Sequence, residues 1–240
     1  MRFETTYVIV AGIAWIRRSR VETCDGRVEE SVWLVTFDGE HSDAHKEPAG
    51  DSTINSGRVA GIEWSLGWVE LAPQFETPHR LLRRVAPTQL VTKPALAISG
   101  HIGDRVLDRA PGHTARLWGR RHARSWGWAH ASEPDGRWAH LLTASAPPLP
   151  RVSQYATNEG GPGLPIARGN VHAPRVTVGP YTVDAPEGTF IGLRYLDTDG
   201  SDLWCYHSEQ GRLRGRDIDF SGAAMEIATR EPIPGWRVAT

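Results

Sequence analysis

Glycine and proline interrupt this sequence at short intervals, and this punctuation limits the folds open to it. The 240 residues include 25 glycines and 17 prolines, which fall between short runs of β-prone residues. No long segment keeps the 3.6-residue apolar period of an amphipathic helix. Turn signals such as "PDGR" (134–137) and "TDGS" (198–201) separate the runs. The sequence predicts an all-β protein whose strands close into barrels or stack as two sheets.

Two segments depart from this pattern. "TPHRLLRRV" (Thr77–Val85) predicts one short helix, with Thr77 as its N-cap and Pro78 at its first position. The stretch Pro147–Pro165 is rich in proline and glycine, and it is either an interdomain linker or a long loop over the mouth of a pocket. We expect a domain boundary there, with one β domain over 1–150 and a smaller one over 151–240.

Charge and cysteine content exclude several classes of protein. Lys and Arg total 27 against 28 Asp and Glu, so the basic excess of a nucleic-acid or anionic-membrane binder is absent. Cys24 and Cys205 lie far apart, which favours reduced thiols over a disulfide framework. No apolar stretch approaches the roughly 20 residues needed to span a bilayer, and the N-terminus lacks a signal-peptide pattern. We expect a soluble, cytoplasmic protein of undetermined oligomeric state.

The densest cluster of aromatic and basic residues is "GHTARLWGRRHARSWGWAHA" (Gly112–Ala131). Two strands are predicted within it, over 114–121 and 125–132, and side chains alternate between the faces of a strand. The bulky face of the first carries Thr114, Arg116, Trp118 and Arg120, and that of the second carries Trp126, Trp128 and His130. Small residues dominate the opposite faces, where a second layer could pack closely.

The bulky faces allow two interpretations. An unpaired guanidinium such as that of Arg116 would cost several kcal/mol in an apolar core, so these faces are not a dry core. Three neighbouring exposed indoles would form an adhesive patch. A cavity with polar and aromatic walls accommodates both facts, whereas an exposed face with stacked Arg and Trp side chains remains the alternative.

Other chemistries lack their motifs. The histidines at 113, 122, 130 and 140 do not have a metal-ligand spacing, and no phosphate-binding glycine motif or Gly-x-Ser-x-Gly elbow occurs. We therefore predict neither a metal nor a cofactor. Cys205 and His207 share a strand face and could form a nucleophile pair, although a buried strand cysteine is usually inert.

The same block resembles the Trp-Gly signature of the calycin-type, lipocalin-like superfamily that contains tocopherol cyclase, the carotenoid hydratase hydroxyneurosporene synthase and lipocalin-like Diels–Alderases. That signature has Gly, His-x-Trp-Gly and then a Trp-x-Trp strand. The similarity extends to residues 14–40, to "IEWSLGW" (62–68), to residues 79–102 and to the hairpin at 193–213. The resemblance implies two lipocalin-like barrels with an apolar cavity at or near their junction, no metal or redox cofactor, and polyene, isoprenoid or polyketide substrates.

One departure from the signature affects the expected chemistry. Arg116 stands where the family has His, two residues before Trp118. A permanently charged Arg cannot replace a neutral general acid or base, so alkene hydration becomes less favoured. An Arg could still polarise a substrate carbonyl.

Our leading hypothesis is a cofactor-free biosynthetic cyclase of the pericyclase or Diels–Alderase type. Arg116, Trp118 and His130 would be catalytic, and the substrate-binding residues would be Trp126, Trp128, Arg120, Trp64 and Trp68. One alternative is a non-catalytic carrier of an apolar metabolite. Another is a proton-dependent isomerase or hydratase with His130, Glu133 or Asp135 as the acid.

Overall fold

The computed structural model describes residues 2–39, 41–77, 86–145, 147, 151–158, 168–216 and 218–239. They form two antiparallel sheets of nine strands each. The first sheet contains β1 (Arg2–Val10), β2 (Ala14–Glu22), β3 (Val28–Asp38), β4 (His41–Pro48), β5 (Ser56–Val59), β6 (Ile62–Glu70), β7 (Phe75–Thr77), β8 (Thr88–Ile102) and β9 (Arg105–Gly119). The second contains β10 (Ser125–Ser132), β11 (Trp138–Ser145), β12 (Val152–Thr157), β13 (Gly169–His172), β14 (Arg175–Val178), β15 (Tyr181–Asp184), β16 (Ile191–Leu196), β17 (Asp202–Gly215) and β18 (Ile218–Thr229).

Each sheet curls until its edge strands meet, which gives two nearly closed barrels. The first runs β4-β3-β2-β1-β9-β8-β6-β5, with β7 beside β8, and the second runs β12-β11-β10-β18-β17-β15-β14-β13, with β16 beside β17. In the first barrel the Ala60 amide, just after β5, donates to Glu47 Oε1 on β4 at 2.8 Å. In the second, β12 and β13 approach each other. The prediction of an all-β fold with lipocalin-like antiparallel barrels is confirmed.

Bulges bend the long strands so that the barrels can close. The pairing of β8 with β9 shifts register between Ile98 and Gly100. Gly100 has φ +136°, a conformation that other residues rarely adopt, and a Cβ there would collide with the Ser65 carbonyl. The backbone of β6 can therefore pass closely over this point only because residue 100 has no side chain.

Both barrel interiors are filled with apolar side chains. The first holds Val8, Ile16, Leu34, Trp64, Leu96 and Ile98, and the second holds Leu141, Val176, Val183, Tyr206, Leu213 and Met225. Gly127 on β10 shows how closely the second interior is packed, since a Cβ there would lie 2.5 Å from Val176 Cγ2. A ligand would therefore find little room inside either barrel.

The two sheets pack through their outer faces around a third, largely aromatic cluster. It joins Tyr7, Trp15 and Trp33 of the first sheet to Trp126, Trp128, Tyr195 and Cys205 of the second. A buried carboxyl group adds a polar contact: Glu209 on β17 accepts hydrogen bonds from the Gly12 amide, at 3.0 Å, and from Trp15 Nε1.

The sheets divide the chain between Gly119 and Ser125, whereas the sequence pattern predicts a domain boundary near residue 150. The two positions differ because β10, β11 and β12 pair with one another and with β18. As a boundary between separately folding units, residue 150 stays a prediction.

The predicted helix and linker fall largely on residues outside the described part of the chain. Thr77, the expected helix cap, is the last residue of β7, and 78–85 lie outside the described residues. Within the expected linker, Val152–Thr157 forms β12 through pairing with β11, so this part is not a loop. The residues described contain no α-helix, only a short 3₁₀ turn at Glu187–Thr189. None of their helical segments is long and apolar enough to cross a membrane.

Candidate functional site

A cavity of about 230 Å³ lies between the two sheets. Its walls are mainly aromatic and aliphatic. From the first sheet and the segment before β8 they include Tyr7, Trp15, Trp33, Val35, Pro87, Leu90 and Leu117, and from the second Trp126, Trp128, Leu142, Ala144, Val152 and Tyr195. The cavity is thus bounded by the outer faces of both barrels rather than by the inside of either.

Alternate residues of each strand supply these walls. Trp15 and Arg17 of β2 line the cavity, whereas Ile16 between them points into the first barrel. On β10, Trp126 and Trp128 line it, whereas Ala129 packs inside the second barrel. The two-residue period of a strand therefore sends one set of side chains to a barrel core and the other to the cavity.

One carboxylate organises the polar part of the cavity wall. Glu226 on β18 is buried, and its Oε1 accepts hydrogen bonds from Trp126 Nε1 at 2.5 Å and from Trp128 Nε1 at 3.0 Å. Its Oε2 lies 3.8 Å from Arg17 Nη1 and 3.3 Å from His207 Nδ1. Every neighbour is a donor or a potential donor, so the contacts favour the ionised carboxylate. They also fix the orientation of both indoles.

Burial and neighbouring charges have opposite effects on the pKa of Glu226. Burial is the largest influence and leaves the pKa of Glu226 above its ordinary value, although Arg17 and the two indole N–H groups lower it. Arg17 Cζ lies 4.1 Å from the centroid of the Tyr195 ring, so the guanidinium has a cation–π partner as well as the carboxylate. Burial strongly lowers the pKa of His207, and Arg17 adds to this shift. His207 is therefore a neutral imidazole at pH 7, and its Nε2 lies 3.4 Å from the Tyr195 hydroxyl.

Two more histidines line the cavity beside the indoles of β10. The His122 ring stacks on Trp126 at a centroid distance of 6.0 Å, and the His140 ring stacks on Trp128 at 6.1 Å. Burial lowers the pKa of His122 and brings that of His140 to about 4, so both rings are neutral at pH 7. Each is held by a buried neighbour, Asp197 in one case and His130 in the other.

Cys205 sits in the aromatic cluster without the features of a nucleophile. It is fully buried, and burial raises the pKa of its thiol well above the ordinary value. A thiol held in its neutral form is a poor nucleophile. His207, which shares a strand face with it, lines the cavity beside Glu226 instead.

Three predicted residues lie at or just behind the cavity wall. Trp126 and Trp128 line the cavity, as the alternation along β10 indicates. His130 shares their strand face but is 2% exposed and lies behind the wall, where its Nε2 is 2.7 Å from the Pro94 carbonyl oxygen. Its direct contact with a ligand is therefore not supported by its position.

Arg116 and Trp118 lie outside the cavity, contrary to the sequence interpretation. Arg116 has an exposed side chain, and its Nε is 3.0 Å from Glu4 Oε1. Arg116 Cζ lies 5.4 Å from the centroid of the half-buried Trp118 ring. The side chains of β9 do alternate between two faces as predicted, but the face that lines the cavity is the small-residue face, through Leu117. This is the exposed Arg–Trp stacking that the sequence left open as the alternative.

The other predicted positions are also elsewhere. Arg120 is exposed just after β9. Trp64 is buried in the first barrel, where its Nε1 donates to the Thr53 carbonyl at 3.1 Å, and Trp68 packs against the same interior cluster. The proposed acids Glu133 and Asp135 both pair with Arg137 in the turn between β10 and β11. Their pairing with Arg137 in an exposed turn explains the presence of these two carboxylates without a catalytic role.

The charged pair at the centre of the site, Arg17 and Glu226, was not predicted from the sequence. Glu226 is the only ionisable residue in "SGAAMEIAT" (221–229), and such a lone charge in an apolar strand is a usable signal. Arg17 in "WIRRSR" (15–20) gives no such signal, because two more arginines follow it within three residues and the sequence does not distinguish them. Among the residues described, no group of three or more His, Cys, Asp or Glu side chains is placed to hold a metal ion.

Comparisons with known proteins agree with the fold. No protein-family model matches the chain. Two relatives from Mycobacterium tuberculosis, the uncharacterized proteins MT0513 of strain CDC 1551 and Rv0493c of strain H37Rv, are each 26% identical to it over 72% of its length. The chain spans 60% of the length of these curated relatives.

A solved structure from Nitrosomonas europaea, provisionally assigned as AttH, has a TM-score of 0.60 to this chain at 14% identity. The likeness covers 96% of this chain and 93% of that one. At this level of identity it shows the lipocalin-like fold alone.

Proposed function

We propose that this protein binds an apolar small molecule in the cavity between its two sheets. The observation that carries the proposal is a cavity of about 230 Å³ with mainly aromatic and aliphatic walls. Its charged groups, Arg17 and Glu226, already neutralise each other. A ligand that removes such walls from water gains about 25 cal/mol for each Å² buried, and few polar groups remain to bind a charged one.

Intrinsic fluorescence can test this binding, because Trp15, Trp33, Trp126 and Trp128 line the cavity. We expect N-phenylnaphthylamine, a neutral apolar probe, to bind with 1:1 stoichiometry and to change the tryptophan emission. Extraction of the purified protein into organic solvent, followed by mass spectrometry, would identify a co-purified ligand.

A matched pair of variants locates the bound probe. Ala144→Trp fills the cavity from β11, whereas Val106→Trp adds the same indole at a side chain that is 85% exposed. We expect Ala144→Trp to weaken probe binding at least tenfold and Val106→Trp to leave it unchanged. Equal affinities in the two variants, or no binding by the wild type, would contradict the proposal.

Catalysis is the second candidate, as a cofactor-free cyclase or a proton-dependent isomerase. It is favoured by the presence of a buried carboxyl, Glu226, and of neutral imidazoles, His140 and His207, on one apolar wall. A carboxylate or an imidazole lone pair can take a proton from one carbon of a substrate and return it to another, which is the step that an isomerisation uses. Arg116 has no part in this version, because it faces away from the cavity.

Mass spectrometry of a ligand incubated with the protein in D₂O separates the two candidates. A carrier returns the ligand unchanged. A proton-transferring enzyme returns it with deuterium on carbon, and a pericyclic cyclase returns an isomer of the same mass with a new chromatographic retention time.

A further inference from the structure

Two histidines of the cavity wall each have a ring nitrogen without a hydrogen-bond partner in the described part of the chain. These atoms are Nε2 of His122 and Nε2 of His140, on residues that are 6% and 3% exposed. Buried polar atoms are nearly always hydrogen-bonded, so each such atom calls for an explanation. A third nitrogen, His207 Nδ1, also lacks a hydrogen bond, but it has Glu226 Oε2 at 3.3 Å.

A chain of contacts determines the tautomer of His140. His130 Nε2 lies 2.7 Å from the Pro94 carbonyl oxygen, which can only accept, so Nε2 of His130 carries the proton. Because His130 is neutral, its Nδ1 is a lone pair. His140 Nδ1 lies 3.4 Å from that lone pair and must donate to it. The single ring proton of neutral His140 is thereby used, and its Nε2 is a hydrogen-bond acceptor.

Asp197 determines the tautomer of His122 in the same way. Its Oδ1 lies 2.7 Å from His122 Nδ1, and its Oδ2 pairs with Arg230. Hydrogen bonds and the charge of Arg230 hold the pKa of Asp197 below its usual range although burial opposes them, so the carboxylate accepts and His122 Nδ1 donates. Neutral His122 is left with Nε2 as an acceptor.

Nε2 of His122 and Nε2 of His140 are therefore both unpartnered acceptors in the described part of the cavity wall. The two rings flank the indoles of Trp126 and Trp128, so the acceptors accompany the most aromatic part of the cavity. We infer that the cavity selects apolar molecules that carry a hydroxyl group, an alcohol or a phenol, which donates its hydrogen to His122 Nε2 or His140 Nε2. At either nitrogen an ether or a ketone would place a lone pair against a lone pair, so it would bind there less well than the alcohol or phenol.

This inference rests on the proposed function, and three matched probes separate the two. They are 2-naphthol, 2-methoxynaphthalene and naphthalene, titrated by displacement of N-phenylnaphthylamine. One hydrogen bond contributes about 1 kcal/mol net, so we expect 2-naphthol to bind about fivefold more tightly than its methyl ether. Failure of all three to bind would refute the binding function. Binding of all three without preference for the naphthol would refute only the hydroxyl selection.

Variants assign the preference to named atoms. His122→Phe and His140→Phe keep a flat ring and remove the acceptor, and we expect the double variant to lose the naphthol preference. His113→Phe is the matched control, because His113 Nε2 is equally buried and without a partner among the described residues, yet His113 does not line the cavity. An unchanged preference in the double variant, or an equal loss in the control, would overturn the inference.

Nuclear magnetic resonance of ¹⁵N-histidine-labelled wild type tests the tautomers without any substitution. We expect His122 and His140 to show an unprotonated Nε2 at pH 7, with a shift on addition of 2-naphthol. A proton on Nε2 of both rings would overturn the inference even if the variants do not fold.

Discussion

The contact between Arg17 and Glu226 allows the energetics of the site to be tested by a double-mutant cycle. The two side chains are 12% and 6% exposed, and Arg17 Nη1 lies 3.8 Å from Glu226 Oε2. At an effective dielectric constant of about 20, charges at this distance attract by about 4 kcal/mol. Glu226→Gln keeps an oxygen for the indole N–H groups of Trp126 and Trp128 but removes the charge that Arg17 faces.

Breaking one side of a buried pair is more costly than replacing both. We expect Glu226→Gln and Arg17→Met each to lower the free energy of unfolding by about 3 to 5 kcal/mol, because each leaves one buried charge without its counter-ion. The double variant removes both charges, so its loss should be well below the sum of the single losses. The expected coupling is about 3 kcal/mol.

Urea denaturation followed by far-ultraviolet circular dichroism measures these losses. Glu4 and Arg116 form a matched exposed pair, with side chains that are 50% and 59% exposed, and their coupling should stay below about 1 kcal/mol. If Glu226→Gln costs less than about 1 kcal/mol and shows no coupling to Arg17, then Glu226 is a neutral acid in the native protein. The ionised pair described above would then be wrong.

Three further predictions concern pH, packing and thiol reactivity. Burial lowers the pKa of His140 from 6.5 to about 4, so as the pH falls the unfolded state binds this proton before the folded state does. The free energy of unfolding should therefore drop by about 3 kcal/mol between pH 6.5 and pH 4 because of His140. Urea denaturation at both pH values should show a smaller drop in the His140→Phe variant. Gly127→Val should lower the melting temperature by several degrees in calorimetry, because its side chain would collide with Val176, and an unchanged melting temperature would mean that the second barrel is loosely packed. Ellman's reagent should titrate Cys24, which is exposed, and should reach Cys205 only after denaturation; rapid reaction of two thiols in the native protein would contradict the burial of Cys205.

Local periodicity predicted the parts of the fold that depend on neighbouring residues. The alternation of Trp126, Trp128 and His130 with small residues separated the two faces of β10, and the structure directs one face toward the first sheet and the other into the second barrel. For β9 the same alternation left the choice of face open. Arg116 stacked on Trp118 in solvent has the same sequence pattern as a cavity wall, and the packing of the other sheet decides which face is covered.

The polar part of the site depends on contacts between distant segments, which periodicity does not report. Asp197 lies in "LDTDGS" (196–201), which is typical of a turn, yet it binds His122, 75 residues earlier. Arg17 and Glu226 come from opposite ends of the chain and meet only because the outer faces of the two sheets are packed together. A sequence without an alignment gives no indication of such pairs.

The cavity is bounded by outer strand faces, whereas the barrel cores face the other way. A substitution at a wall position such as Leu117 or Leu142 alters the space between the sheets and leaves the inward-pointing neighbours on the same strands in place. Ligand preference and barrel stability can therefore change independently, position by position. A fold built in this way can acquire new small-molecule ligands through a few substitutions between the two sheets, without changes to either hydrophobic core.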